Sequence, residues 1–126
     1  MPHTIRTFLL LEGASFVLAA LVHFGVLARG YEHGAASIAE SVIAIVLLVA
    51  LVLTWLVPAL TRSIGIAAQA FALLGTLIGA FTIAIGVGPR TVPDVIYHAA
   101  ILLVLAWGLV VAVRGPSQTA TARTAP

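Results

Sequence analysis

Four apolar runs, each long enough to cross a lipid bilayer, constrain the fold of this chain more than any other feature. They cover residues 7–28, 35–57, 64–87 and 95–113, and each is close to the roughly 20 residues that span about 30 Å of hydrocarbon. Because 62% of the 126 residues are hydrophobic and only 8% are charged, a soluble domain of this length has too little interior to bury the apolar surface. The sequence predicts an all-α integral membrane protein.

Short polar breaks separate the runs and set the topology. Residues 29–34, 58–62 and 88–94 carry Gly, Pro and Arg, and connections this short join antiparallel neighbours. We therefore expect a four-helix up-down bundle that forms a single domain over residues 1–114. Thr91 and Asp94 predict a capping box at the start of the fourth helix. The Thr-, Ala- and Pro-rich residues 115–126 predict a disordered cytoplasmic tail.

The charged residues exclude some functions and orient the bundle. All six basic residues are arginines, spread along the whole chain, so no basic face for nucleic acid is expected. The absence of cysteine excludes disulfides, thiolate metal sites and a catalytic thiol. The excess of arginine on one side of the bundle predicts a cell-membrane protein with both termini cytoplasmic: Arg6, Arg62, Arg114 and Arg123 lie on that side, with Arg29 and Arg90 on the other.

Three polar side chains inside the spans are predicted to lie at one depth. His23 is about six residues from the outer end of the first run, and Glu40 and His98 are about six residues into the second and fourth. At about 1.5 Å per residue, all three lie roughly 9 Å below the outer interface. Ionisable residues inside a membrane are costly and usually functional. We therefore expect a polar cavity in the outer half of the bundle, with Tyr97 nearby.

Each of these residues also has a purely structural interpretation. Glu40 can accept a hydrogen bond from His98, while Asp94 caps its helix and pairs with Arg90. On the third helix, the spacing Gly75-x-x-x-Gly79 favours close packing within the bundle over a dedicated dimer motif.

Glu12 lies near the predicted cytoplasmic end of the first run, where Arg6 or Arg62 can pair with it; a role in binding a proton or ligand is the alternative. Four spans with an acid early in the first resemble the small multidrug transporters in layout, where the corresponding glutamate binds protons. The third span lacks the Trp-Ser-Gly segment of that family. The resemblance is therefore limited to layout and one residue, and no role is carried over.

The polar cavity allows several functions. One is a site for a proton, an ion or a small molecule, in a transporter or a membrane-embedded enzyme, because Glu and His side chains in a membrane suit proton relay. A metal ion held by His23, Glu40 and His98 is a second. A third is a b-type cytochrome, with His23 and His98 as axial ligands of haem b. Finally, the chain can serve as an accessory subunit of a larger membrane complex, or form a homo-oligomer, through its glycine-rich third helix.

Overall fold

The computed structural model describes Met1–Gly115, and these residues form four long helices. The helices are α1 (Pro2–His23), α2 (Gly34–Leu56), α3 (Thr61–Ala84) and α4 (Val92–Arg114), with a short 3₁₀ helix (Pro58–Leu60) before α3. All four are long and apolar enough to cross a membrane. The predicted tail falls almost wholly on residues 116–126, which lie outside the described part of the chain.

Two of the helices end before their apolar runs do. The first run extends to residue 28, but α1 begins at Pro2 and ends at His23; likewise α3 ends at Ala84 rather than at residue 87. Gly25 and Gly86 follow these ends with φ angles of +74° and +84°, a left-handed conformation that terminates a helix and favours glycine. The apolar residues beyond each helix therefore belong to turns, and α1 lies about five residues closer to the N-terminus than predicted.

Contacts at the helix ends show that neighbouring helices are antiparallel. At one end, the His33 N–H donates to the His23 carbonyl (2.9 Å), and His23 contacts Asp94 of α4. At the opposite end, the Arg6 side chain bonds Thr54 of α2, and Arg62 bonds the Val113 carbonyl. We call these the His33 end and the Arg6 end. Both termini of the described chain lie at the Arg6 end.

The bundle is apolar on the outside and carries its polar groups inside. Large hydrophobic side chains such as Leu56, Leu103 and Trp107 are exposed, as expected where lipid is the solvent. A central layer that includes Leu9, Phe16, Leu47 and Leu105 is buried. Nine of the described polar or charged residues are also buried. In a membrane, each needs a partner inside the bundle because hydrocarbon offers none. Their partners define the candidate sites.

Candidate functional site

Three ionisable side chains from three helices meet near the His33 end. The Nδ1 atom of His23 lies 2.7 Å from Oε2 of Glu40, and its Nε2 atom lies 3.0 Å from Oδ1 of Asp94. His23, Glu40 and Asp94 are only 4%, 4% and 6% exposed. We call these three residues the His23 cluster.

The ends of the helices position the cluster. His23 is the last residue of α1, and Glu40 lies in the second turn of α2. Asp94 belongs to the predicted capping box, which is confirmed: the Asp94 N–H donates to Oγ1 of Thr91 (3.3 Å), and the Thr91 N–H donates to Oδ2 of Asp94 (3.1 Å). The Thr91 hydroxyl donates to the same Oδ2 atom. One carboxylate therefore both caps α4 and binds the histidine.

The two contacts of the His23 ring indicate how the cluster can share its protons. Each of the two bonds to the His23 ring needs one proton between its heavy atoms. An imidazolium between two carboxylates has one positive and two negative charges; a neutral imidazole between a carboxylic acid and a carboxylate has one negative charge. Both arrangements hold the same two protons and one net negative charge. Asp94 accepts hydrogen bonds from both the N–H and the hydroxyl of Thr91, which stabilises its charged form more than that of Glu40. We therefore expect the shared proton to lie between His23 and Glu40.

A cavity adjoins the cluster on its Glu40 side. It has a volume of about 170 Å³ and lies between α2, α3 and α4. The second carboxyl oxygen of Glu40, Oε1, is buried and has no hydrogen-bond partner among residues 1–115. Residues of both loops at the His33 end complete the wall. The lining includes Glu40, His98, Gly79, Thr82, His33 and Pro89.

His98 lies on the cavity wall and not within the cluster. A carbonyl can only accept, so the Nδ1–H of His98 donates to the Asp94 main-chain oxygen (2.9 Å). Its Nε2 atom faces α3, where it lies 3.2 Å from the position that a Cβ on Gly79 would occupy. The structural interpretation in which Glu40 accepts a hydrogen bond from His98 is therefore wrong. The histidine that contacts Glu40 is His23.

A groove adjoins the cluster on its other side, between α1 and α4. It has a volume of about 490 Å³, and His23, Asp94, Tyr97 and Ser15 are among its lining residues. The Ser15 hydroxyl donates to the Tyr97 hydroxyl (3.2 Å). The His23 cluster thus separates the cavity beside Glu40 from this groove, and Tyr97 belongs to the groove.

Glu12 forms a second buried polar group, away from the cluster. Its Oε2 atom accepts a hydrogen bond of 2.6 Å from Nε2 of Gln69 on α3, and both residues are 1% exposed. The predicted pairing of Glu12 with Arg6 or Arg62 does not occur, since Arg6 bonds Thr54 and Arg62 bonds the Val113 carbonyl. The reason is the shift of α1, which moves Glu12 from the helix end to its middle.

The two predicted packing glycines of α3 face other helices of the same bundle. A Cβ on Gly75 would lie 3.0 Å from Cδ1 of Ile43 on α2, and Gly79 faces His98 on α4. Their missing side chains allow α2 and α4 to approach α3.

Neither proposed cofactor is favoured by the hydrogen bonds of the His23 cluster. Within Met1–Gly115, no group of three or more His, Cys, Asp or Glu side chains is arranged to hold a metal ion. Both ring nitrogens of His23 already contact carboxylates, whereas a haem or metal ligand needs a free ring nitrogen. The metal set His23, Glu40 and His98 and the haem pair His23 and His98 stay predictions.

Two residues of these sites were not predicted as site residues. Asp94 was interpreted as a helix cap, although its position on one face with Tyr97 and His98 is a signal that it points into the bundle. Gln69 is a polar residue inside the third apolar run. Glu12 and Gln69 are each polar residues inside an apolar run, and such residues tend to pair with one another inside a bundle. This is the signal that could have predicted their contact.

No protein-family model, curated protein or solved structure matches this chain. The function is therefore argued from the geometry of these sites.

Proposed function

We propose that the chain is a multi-pass protein of the cell membrane that binds a small monovalent cation, a proton or an ammonium ion, at the His23 cluster. In this proposal the four helices cross the membrane up and down, and both termini are cytoplasmic. The cation enters from the outer side through the cavity at the His33 end. Its binding and release serve transport.

The contacts of His23 with the carboxyl groups of both Glu40 and Asp94 are the observation that carries this proposal. A charge in a low-dielectric interior is costly unless it is paired. With one proton in each of its two hydrogen bonds, the cluster of Glu40, His23 and Asp94 would carry one negative charge. One monovalent cation would neutralise the cluster. Glu40 Oε1, which is buried and unpartnered, is the atom that would receive it.

The size of the cavity supports a small occupant. Sites for drug-sized molecules measure about 300–1,000 Å³, whereas the cavity beside Glu40 measures about 170 Å³. At about 30 Å³ per water in the liquid, this space suits a few waters that conduct a proton, or one small ammonium ion with its N–H donors. The carboxyl oxygen of Glu40 and the Nε2 atom of His98 supply acceptors for such donors.

Binding and transport can be measured on the full chain in liposomes. Proteoliposomes with a trapped pH-sensitive dye report proton entry under an imposed membrane potential, and equilibrium dialysis with radiolabelled methylammonium reports binding of an ammonium ion. We expect Glu40→Gln to reduce proton entry, methylammonium affinity, or both, at least tenfold, since the amide removes the negative charge but keeps the side-chain shape.

The matched control is Glu32→Gln, which removes an exposed carboxylate from the loop at the same end. It should leave both measurements unchanged. Wild-type rates and affinities in a folded Glu40→Gln variant, with its secondary structure verified by circular dichroism, would contradict the proposal. A loss in the dialysis assay alone identifies ammonium as the cargo, and a loss in the dye assay alone identifies the proton.

A further inference from the structure

The Glu12–Gln69 pair lies in the middle of the bundle, in a setting unlike that of the His23 cluster. At about 1.5 Å per residue, Glu12 is about 15 Å from the start of α1 and about 16 Å from His23. Its carboxyl group is buried between α1, α3 and α4, and its single hydrogen bond comes from the neutral amide of Gln69. Neither Arg6 nor Arg62 compensates it, since both donate hydrogen bonds to groups at the Arg6 end.

The pair has two buried oxygens without donors. Glu12 Oε1 and Gln69 Oε1 have no hydrogen-bond partner within the described part of the chain. Both atoms accept, so they cannot satisfy each other while Glu12 is a carboxylate. A buried acceptor without a donor destabilises the fold, and an unpaired buried charge destabilises it more.

The packing around the pair limits what can supply the missing donor. Gly108 of α4 lies directly against both side chains: a Cβ there would be 2.6 Å from Nε2 of Gln69 and 2.8 Å from Oε1 of Glu12. Only a glycine lets the α4 backbone approach this closely. A proton on Glu12 adds no volume, whereas a hydrated ion needs space on this side that α4 already occupies.

We propose that Glu12 is a second proton-binding site and that Gln69 holds the proton as an acid–amide pair. A carboxylic acid offers one donor and one acceptor, and a primary amide offers the complementary acceptor and donor. Protonation of Glu12 therefore provides the donor that the two oxygens lack, and it removes the charge from the middle of the membrane. This proposal does not depend on the cation site at Glu40.

Infrared spectroscopy of the full chain in liposomes tests the proposal, because a carboxylic acid has a C=O stretching band that a carboxylate lacks. At neutral pH we expect one acid band that disappears in Glu12→Gln and persists in the control Glu32→Gln. Raising the pH should remove this band reversibly as the proton leaves. Any acid band that belongs to the His23 cluster should disappear in Glu40→Gln, whereas the band of Glu12 should remain.

The variant Gln69→Leu provides a second measurement if Glu12→Gln does not fold. Without the amide, the acid band of Glu12 should persist but move to higher frequency, since its hydrogen bond is lost. The proposal would be overturned if, at neutral pH, the Glu12→Gln spectrum lacked a carboxylate band of the wild type and kept all of its acid bands. An acid band whose frequency is unchanged in Gln69→Leu would also overturn it.

Discussion

Glu40 and Glu12 are both buried carboxyl groups on helices that are long and apolar enough to cross a membrane, but their surroundings differ. Glu40 contacts an ionisable partner, His23, which also contacts a second carboxylate, and it borders a cavity at the His33 end. Within residues 1–115, Glu12 has one hydrogen-bond partner, the neutral amide of Gln69, and it lies against the backbone of α4. In our proposals, the first group carries a net negative charge and is reached from one end of the bundle. The second is enclosed, and a proton satisfies it.

This difference shows that polar residues inside apolar helices can have different roles. A charged group beside a cavity can exchange its proton or cation with the exterior, which suits transport. An enclosed pair keeps its proton unless the helices around it move. Measurements that separate the two regions therefore test both proposals.

The largest change in the free energy of unfolding is expected when His23, which contacts both carboxyl groups of the cluster, is removed. His23→Ala leaves Glu40 and Asp94 buried without the ring between them, and breaking a buried ionic network typically costs about 3–5 kcal/mol. We expect a loss of this size in the free energy of unfolding, measured by denaturant titration in detergent and followed by circular dichroism. His3→Ala, which removes an exposed histidine, is the control. A loss equal to that of His3→Ala would show that the cluster does not stabilise the bundle.

A smaller effect is expected from a methyl group placed against each region. Gly108→Ala forces a Cβ to within 2.6 Å of Gln69 and 2.8 Å of Glu12, and overpacking of this kind costs about 1–3 kcal/mol. Gly79→Ala places a Cβ 3.2 Å from His98, where the adjoining cavity gives the ring space to shift. In the same unfolding measurement Gly108→Ala should lose more. Equal losses would mean that the Glu12–Gln69 pair is not the more tightly enclosed region.

The contrast between the two carboxyl groups was only partly predictable from the sequence. The apolar runs identified all four helices. His23 and Glu40 do meet, although His23 is the last residue of α1 and does not lie about six residues inside its helix, as the first run predicted. The ends of the runs were misleading because hydrophobicity continues past Gly25 and Gly86, where the backbone turns. An error of five residues in α1 was enough to place Glu12 beside arginines instead of Gln69. Depth in a membrane follows from helix boundaries, and those depend on turn conformation as well as on hydropathy.

The sequence also does not predict which side chains of α4 contact which neighbouring helix. Asp94, Tyr97 and His98 share a face of α4, but rotation about the helix axis decides which of them reaches α1 and which faces α3. In the bundle Asp94 contacts His23, Tyr97 contacts Ser15, and His98 faces Gly79. Spacing along one helix cannot rank these contacts, since the positions of the neighbouring helices determine them.

The capping box links helix stability to the cluster and gives a more moderate prediction. Thr91→Ala removes an N-cap side chain, at a typical cost of about 0.5–2 kcal/mol, and it also removes the hydroxyl that donates to Asp94. We expect a loss in this range in the unfolding free energy, together with altered cation binding at the cluster. Thr91→Ser retains the hydroxyl and should restore both. If serine restores stability but not binding, Thr91 acts on the cluster by some route other than this hydrogen bond.

The smallest expected effect is the coupling within the Glu12–Gln69 pair, and it distinguishes the two regions most directly. A double-mutant cycle of Glu12→Leu and Gln69→Leu measures the interaction free of the separate effects of each side chain. Neutral hydrogen bonds inside membrane proteins average about 0.6 kcal/mol in such cycles, whereas bonds to charged groups contribute about 1.5–3 kcal/mol. The matched cycle of His23→Leu and Glu40→Leu should therefore give the larger coupling. A coupling for Glu12 and Gln69 as large as that for His23 and Glu40 would indicate a charged Glu12, and the neutral acid–amide pair would then be wrong.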